Sequence, residues 1–145
     1  STDAILLAAD TVTTTRNINI TAVNDAPVNT LPASYTTNED TQLILTGLSV
    51  SDVDSTGTSV TLTVTGGTLT ATSITGVTVS GSGTSSITLT GTFANINTYL
   101  ATTANQPRYN PTLNVNGAYT LTMASVDGNG STTTTSTPIT ITPIM

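Results

Sequence analysis

The sequence predicts an all-β fold, an antiparallel β-sandwich carrying one short helix, on three observations. Thr is the commonest residue, about a quarter of the chain, while charged residues make up 7%. Such β-branched, weakly charged composition suits half-buried sheet and differs from the charge-rich composition of disordered chains. Apolar and polar residues alternate with period two over many short segments, as strands with one face in a core do. Gly, Asn, Asp and Pro clusters separate those segments at short intervals, the punctuation of a sandwich built from hairpins. A chain of 145 residues is long enough for one well-formed core.

Taken in chain order, Ile18 and Ile20 are the first pair of inward positions. Leu43/Leu45 and Leu48/Val50 alternate too, but their phase slips by one residue, and Gly47 at the slip predicts a β-bulge or kink. Val60, Leu62 and Val64 point inward, with Thr61, Thr63 and Thr65 facing out. Val77/Val79, Ile87/Leu89, Tyr119/Leu121/Met123 and Ile139/Ile141 continue the pattern. Turns are expected at Gly66-Gly67, Gly81-Ser82-Gly83, Asn105-Gln106-Pro107, Asn116-Gly117 and Asp127-Gly128-Asn129-Gly130. One segment departs from period two. Phe93, Ile96 and Leu100 are three and four apart behind Thr92, which predicts an N-capped helix of two turns laid across the end of the sheets.

Residues 17–23, NINITAV, echo residues 138–144, PITITPI, and both follow Thr-rich runs. Ile18 and Ile139 correspond, a spacing of 139 − 18 = 121 residues that fits one sandwich domain in a tandem array. The expected division is a terminal strand of a preceding repeat, or an exchanged strand, over 1–23, a linker over 24–27, and a domain over 28–145.

Composition removes whole classes of function. The chain has no His, no Cys and no Lys; its cations are Arg16 and Arg108. Familiar zinc, haem and iron–sulfur sites, Ser-His-Asp and Cys-His catalysis, Schiff bases and disulfides all lack their residues. A net charge of −6 opposes binding to nucleic acid or to an anionic membrane surface. The longest apolar run, Ala4 to Ala9, is too short to span a bilayer.

The stretch VNDAPV, Val23 to Val28, interrupts strand-like sequence with an Asn-Asp pair and an Ala-Pro step. Pro fixes its own φ and restricts the residue before it, so this linker has little freedom. Asp25 in the linker, Asp52 and Asp54 after the strand ending at Val50, and Asp127 after the strand through Met123 can gather at one end of a sandwich. Carboxylates that crowd without cations repel, and a hard cation relieves that repulsion. Calcium takes six to eight oxygens in flexible geometry. Asn24, Asp25, Asp52, Asp54 and Asp127 are the candidate calcium ligands, against a plainer reading of hydrated loop acids.

VNDAPV resembles the Asn-Asp-x-x-Pro linker of cadherins, SDVDS their Asp-x-Asp loop, and ASVDG at 124–128 their Ala-x-Asp-x-Gly strand end. NEDTQLILTGLSVSDVD at 38–54, ITLTGTFANINTYLA at 87–101 and YNPTLNVNGAYTLTMASVDGNG at 109–130 resemble more closely the cadherin-like, immunoglobulin-like tandem repeats of giant bacterial surface adhesins. The resemblance implies an extracellular extender module on a bacterial cell surface, its neighbouring repeats joined through calcium. It also implies that Asn24 offers its carbonyl and the four aspartates their carboxylates, and that Glu39 lies at the far end, facing the next linker. The exit ITPIM departs from the pattern, having no Asn-Asp pair, and the Asp52 loop is no EF-hand, since its twelfth position is Thr63.

Other functions are weaker on the residues. Asp52/Asp54 or Glu39/Asp40 could form a glycosidase pair, but adjacent turn carboxylates suit solvent or metal better, so no enzyme is expected. A surface filament or layer of identical subunits joined by exchanged strands is the main alternative. A module for a surface glycan or protein ligand is a third reading and calls for an exposed aromatic beside a polar groove. Thr-x-Thr pairs at 61/63, 68/70 and 88/90 suggest ice binding, which needs flat ranks that a twisted sheet does not supply.

Overall fold

Eleven strands and one helix form in the computed structural model, which describes residues 13, 15 and 23–144. Ile18, Ile20 and the assignment of 1–23 therefore lie outside the described residues, apart from Thr13, Thr15 and Val23. The strands are β1 (Val28–Thr30), β2 (Tyr35–Asn38), β3 (Leu43–Ile44), β4 (Ser49–Ser51), β5 (Ser59–Val64), β6 (Thr68–Thr70), β7 (Thr78–Ser80) and β8 (Ser86–Thr90). Helix α1 (Phe93–Ala101) follows, then β9 (Arg108–Asn110), β10 (Gly117–Val126) and β11 (Thr132–Thr142). One layer is a six-stranded sheet in the order β2-β11-β10-β5-β8-β7. The remaining strands form a pair, β1-β4, and a triplet, β3-β9-β6.

Period-two patterning accounts for the core. Val60, Leu62 and Val64 of β5, Ile87 and Leu89 of β8, Leu121 and Met123 of β10, and Ile139 and Ile141 of β11 are all buried. The registers align these side chains: Leu62 lies opposite both Ile87 and Met123, and Tyr119 opposite Ile139. Each fully buried aliphatic side chain contributes about 1.5–3 kcal/mol relative to exposure. The outer positions carry hydroxyls that pair across strands, Thr61 with Thr88 at 3.1 Å and Thr63 with Ser86 at 3.0 Å. Most pairings are antiparallel, but β2 runs parallel to β11, from Tyr35 opposite Ile139 to Thr142 opposite Asn38.

The slip at Gly47 is larger than a bulge. Its two flanks belong to different groups of strands, β3 pairing with β9 and β4 with β1. Gly47 has φ +80, and a Cβ there would meet Pro32 Cγ at 2.9 Å, so a side chain would be both strained and crowded. Pro32 lies where the chain itself leaves β1 for the opposite layer, and its carbonyl accepts from Thr137 Oγ1 at 2.7 Å. Tyr35 then donates its hydroxyl to the Thr46 carbonyl, tying the two crossings together. Burial pushes that phenol's pKa up.

Helix α1 starts where the spacing predicts. Thr92 accepts from Asn95 N at 3.2 Å as the N-cap, and Phe93, Ile96, Tyr99 and Leu100 are buried. Its location follows from Asn97, which accepts from Val50 N at 2.8 Å and donates to Val50 O at 2.6 Å. The helix thus lies along β4 and satisfies its edge as a neighbouring strand would. Two facing layers over one core, with the first strand divided between them, make an immunoglobulin-like β-sandwich.

Candidate metal centre

The entering chain and two loops meet at one pole of the sandwich. The chain arrives through Asn24-Asp25-Ala26-Pro27, with Pro27 buried and its carbonyl accepting from Thr133. The loop after β4 brings Asp52 and Asp54, and the β10–β11 turn brings Asp127 and Asn129. Asp127 is the centre of the group and only 2% exposed. It accepts from Asn24 Nδ2 at 2.8 Å, from Asn129 N at 2.9 Å and from Ser131 N at 2.8 Å. The Asn24 amide, with those backbone N–H groups, holds the Asp127 carboxyl below the usual carboxylate range against the opposing effect of burial.

The other acids are arranged differently. Asp52 Oδ1 accepts from Asp54 N at 2.8 Å, closing an Asx turn. Its second oxygen, Oδ2, is buried with no hydrogen-bond partner, and the carboxyl lies close enough to Asp127 to interact with it. Asp54 is exposed and accepts from Asp25 N at 2.5 Å, while the Asp25 side chain faces solvent. Among the described residues, no three acids are grouped as a ready-made metal cluster. Asp52 neighbours Asp127, while Asp54 meets Asp25 through the Asp25 backbone N–H and not through its carboxyl.

Asn24 is oriented opposite to the expected donor. Its Nδ2 faces Asp127 and Ser131 Oγ, the latter at 2.7 Å, and its Oδ1 accepts from Asn129 Nδ2 at 3.1 Å. An amide N–H₂ is a donor and a carboxylate accepts only, so the two pair in this sense. Three residues that the sequence reading passed over complete the pole. Asn129 bridges Asn24 and the Asp54 carbonyl, Ser131 binds Asn24, and Ser55 Oγ accepts from Gly57 N at 3.0 Å and Gly128 N at 2.8 Å. Their signal was positional, since Asn129 and Ser131 follow Asp127 by two and four residues in a turn whose amides need an acceptor.

The donor set fits a hard divalent cation in its chemistry: carboxylate, amide and main-chain oxygens around a buried carboxylate oxygen that lacks a proton donor. Glu39 and Asp40 lie at the opposite pole. Glu39 accepts from Asn116 Nδ2 at 2.8 Å, and Asp40 accepts from Asn114 N at 2.7 Å. Ten-residue β10 separates the two poles by about 30 Å at strand rise.

The fold and this pole define a class, an immunoglobulin-like β-sandwich module with an acidic entrance. No protein-family model matches the chain, and no curated protein matches it. Among solved structures it is similar to murine CRIg, at 11% sequence identity and TM-score 0.39, over 83% of this chain and 100% of that one. Among the described residues no helix is long and apolar enough to cross a membrane. All five aromatic side chains serve the sandwich: Tyr35, Phe93, Tyr99 and Tyr109 are buried, and Tyr119 packs against the core.

Proposed function

We propose that this chain is an extracellular structural module, an extender repeat of a bacterial surface adhesin whose joint to the preceding repeat is stiffened by calcium. The observation that carries the reading is the buried, unpartnered Asp52 Oδ2 beside Asp127 at the point where the chain enters the domain. Asp52, Asp127 and Asn24 would hold the ion, with Asp54 and Asp25 reaching it from the outer side. Calcium would supply charge neutralisation and a rigid cross-link between linker and loops, a structural role.

Two further features support the reading. The chain enters at the Asp127 pole and leaves β11 at the Glu39 pole, as repeats joined end to end require. Large apolar side chains are exposed at both poles, Val23 and Val53 at the entrance and Leu113 and Ile144 at the exit. They would be available to contact a neighbouring repeat. The same poles would serve a filament of identical subunits, the alternative partner.

Thermal unfolding tests the proposal. Calcium should raise the melting temperature, because a ligand that binds only the native state stabilises it by about 2.7 kcal/mol at a hundredfold excess over Kd. Asp52→Ala should abolish most of that gain, whereas Asp40→Ala at the other pole should keep it. Superimposable curves in calcium and in chelator would refute the metal joint.

A further inference from the structure

On the flank of the β3-β9-β6 triplet lies a cleft of about 220 Å3, away from both acidic poles. Thr70, Thr72, Ser82, Asn105, Gln106 and Arg108 line it. Arg108 is the single cation among the described residues, and it makes no ion pair with any of them. Its guanidinium is held by main-chain carbonyls, Nη1 donating to Gln106 O and Nη2 to Thr103 O at 3.1 Å. A guanidinium has five N–H donors, so two are used and three are left. Gln106 is 7% exposed, and its Oε1 has no hydrogen-bond partner.

A cation held by main-chain carbonyls and a buried amide whose Oε1 has no hydrogen-bond partner thus both line one polar recess in an otherwise acidic protein. Buried polar groups are ordinarily satisfied, and an unmet one has a missing partner. With Nη1 and Nη2 each held by a main-chain carbonyl, the guanidinium has a fixed position, and the fork of an Arg matches a planar carboxylate. Amide and hydroxyl groups around it suit a polyol, which both donates and accepts. The volume equals roughly seven waters' share of the liquid and falls below the roughly 300–1,000 Å3 of pockets for drug-sized ligands. That is room for one sugar ring within the cleft, with any further units of a glycan lying outside it.

We propose that this cleft binds a carboxylate-bearing monosaccharide, a uronate unit, with the carboxylate on Arg108 and ring hydroxyls on Gln106, Asn105 and the Thr70/Ser82 rim. The site is independent of the calcium pole. It would give a module that otherwise only spaces and joins a weak hold on acidic surface glycan.

Titration of the full chain with glucuronate, glucose and acetate, followed by calorimetry and by NMR shifts, tests this. Glucuronate should bind at least tenfold more tightly than either glucose or acetate, with shifts at Thr70, Ser82 and Asn105, unchanged by chelator. Arg108→Gln should cost at least tenfold, and Arg108→Lys an intermediate amount, since Lys has charge without the fork. If Arg108→Gln does not fold, Asn105→Ala at the rim decides, with a severalfold loss expected. Acetate binding as well as glucuronate would reduce the site to an adventitious anion only and overturn the proposal. So would glucuronate binding unaffected by these substitutions, or no binding at all.

Discussion

Hydrogen bonds to Asp127 couple its protonation to folding at the entrance pole. Its folded carboxyl is held below the ordinary range by Asn24 and the turn amides, so the native state keeps the proton off where the unfolded chain would take it up. This stabilisation is fully present above the unfolded carboxylate pKa of about 3.9 and disappears as pH falls from there through the lowered folded value. Asp127→Asn should flatten the decline of melting temperature between about pH 5 and pH 2. A wild-type and mutant pair with parallel pH profiles would show that Asp127 does not govern it. Gly57 is a second sensitive position. Its φ is +81, and a Cβ would lie 2.3 Å from the Phe93 ring. Gly57→Ala should therefore destabilise by more than the roughly 1–3 kcal/mol usual for core overpacking, read as a drop in the chemical-denaturation midpoint with the slope unchanged.

At the scale of elements, α1 replaces a strand neighbour of β4, and two residues secure it. Thr92→Ala removes the N-cap and should cost about 1 kcal/mol. Asn97→Ala leaves the N–H and C=O of Val50 without their partner and should cost about 1–3 kcal/mol. Because Thr92 fixes the helix start and Asn97 its docking, the second loss should exceed the first in equilibrium unfolding. Equal losses would mean that Ile96 and Leu100, buried at 0% and 1% exposure, hold the helix by packing alone. The hairpin β10–β11 is the longest element, and its Leu121, Met123, Ile139 and Ile141 anchor the six-stranded sheet.

For the whole molecule, the described strands already close both layers around one core, ending in buried Ile139 and Ile141. Deleting residues 1–22 should leave a folded monomer with nearly unchanged melting in the absence of calcium, while abolishing chain-to-chain assembly if that segment adds to a neighbour by strand addition. Unfolding on deletion would instead place the segment in this domain's core and move the boundary drawn at Pro27. Analytical ultracentrifugation with circular dichroism separates these outcomes.

The sequence by itself determined the fold class, the inward faces of β5, β8, β10 and β11, and the start of α1. These depend on local periods of two or 3.6 and on capping chemistry, both of which are written in neighbouring residues. It also named Asn24, Asp25, Asp52, Asp54 and Asp127 as candidate ligands from loop order along antiparallel strands; the structure brings their loops to one pole without clustering three of the acids among the described residues. Only the tertiary structure decided which strands are neighbours. Alternation states that Ile139 and Ile141 face inward but not that β2 runs parallel to β11, nor that Gly47 and Pro32 sit together where two strands change partners. The same holds at the entrance pole, where Asn24 presents its amide N–H₂ to Asp127 and Asn129 takes its carbonyl. A hydrogen-bond partner a hundred residues away is chosen by the packing of the whole sandwich, which no local pattern encodes.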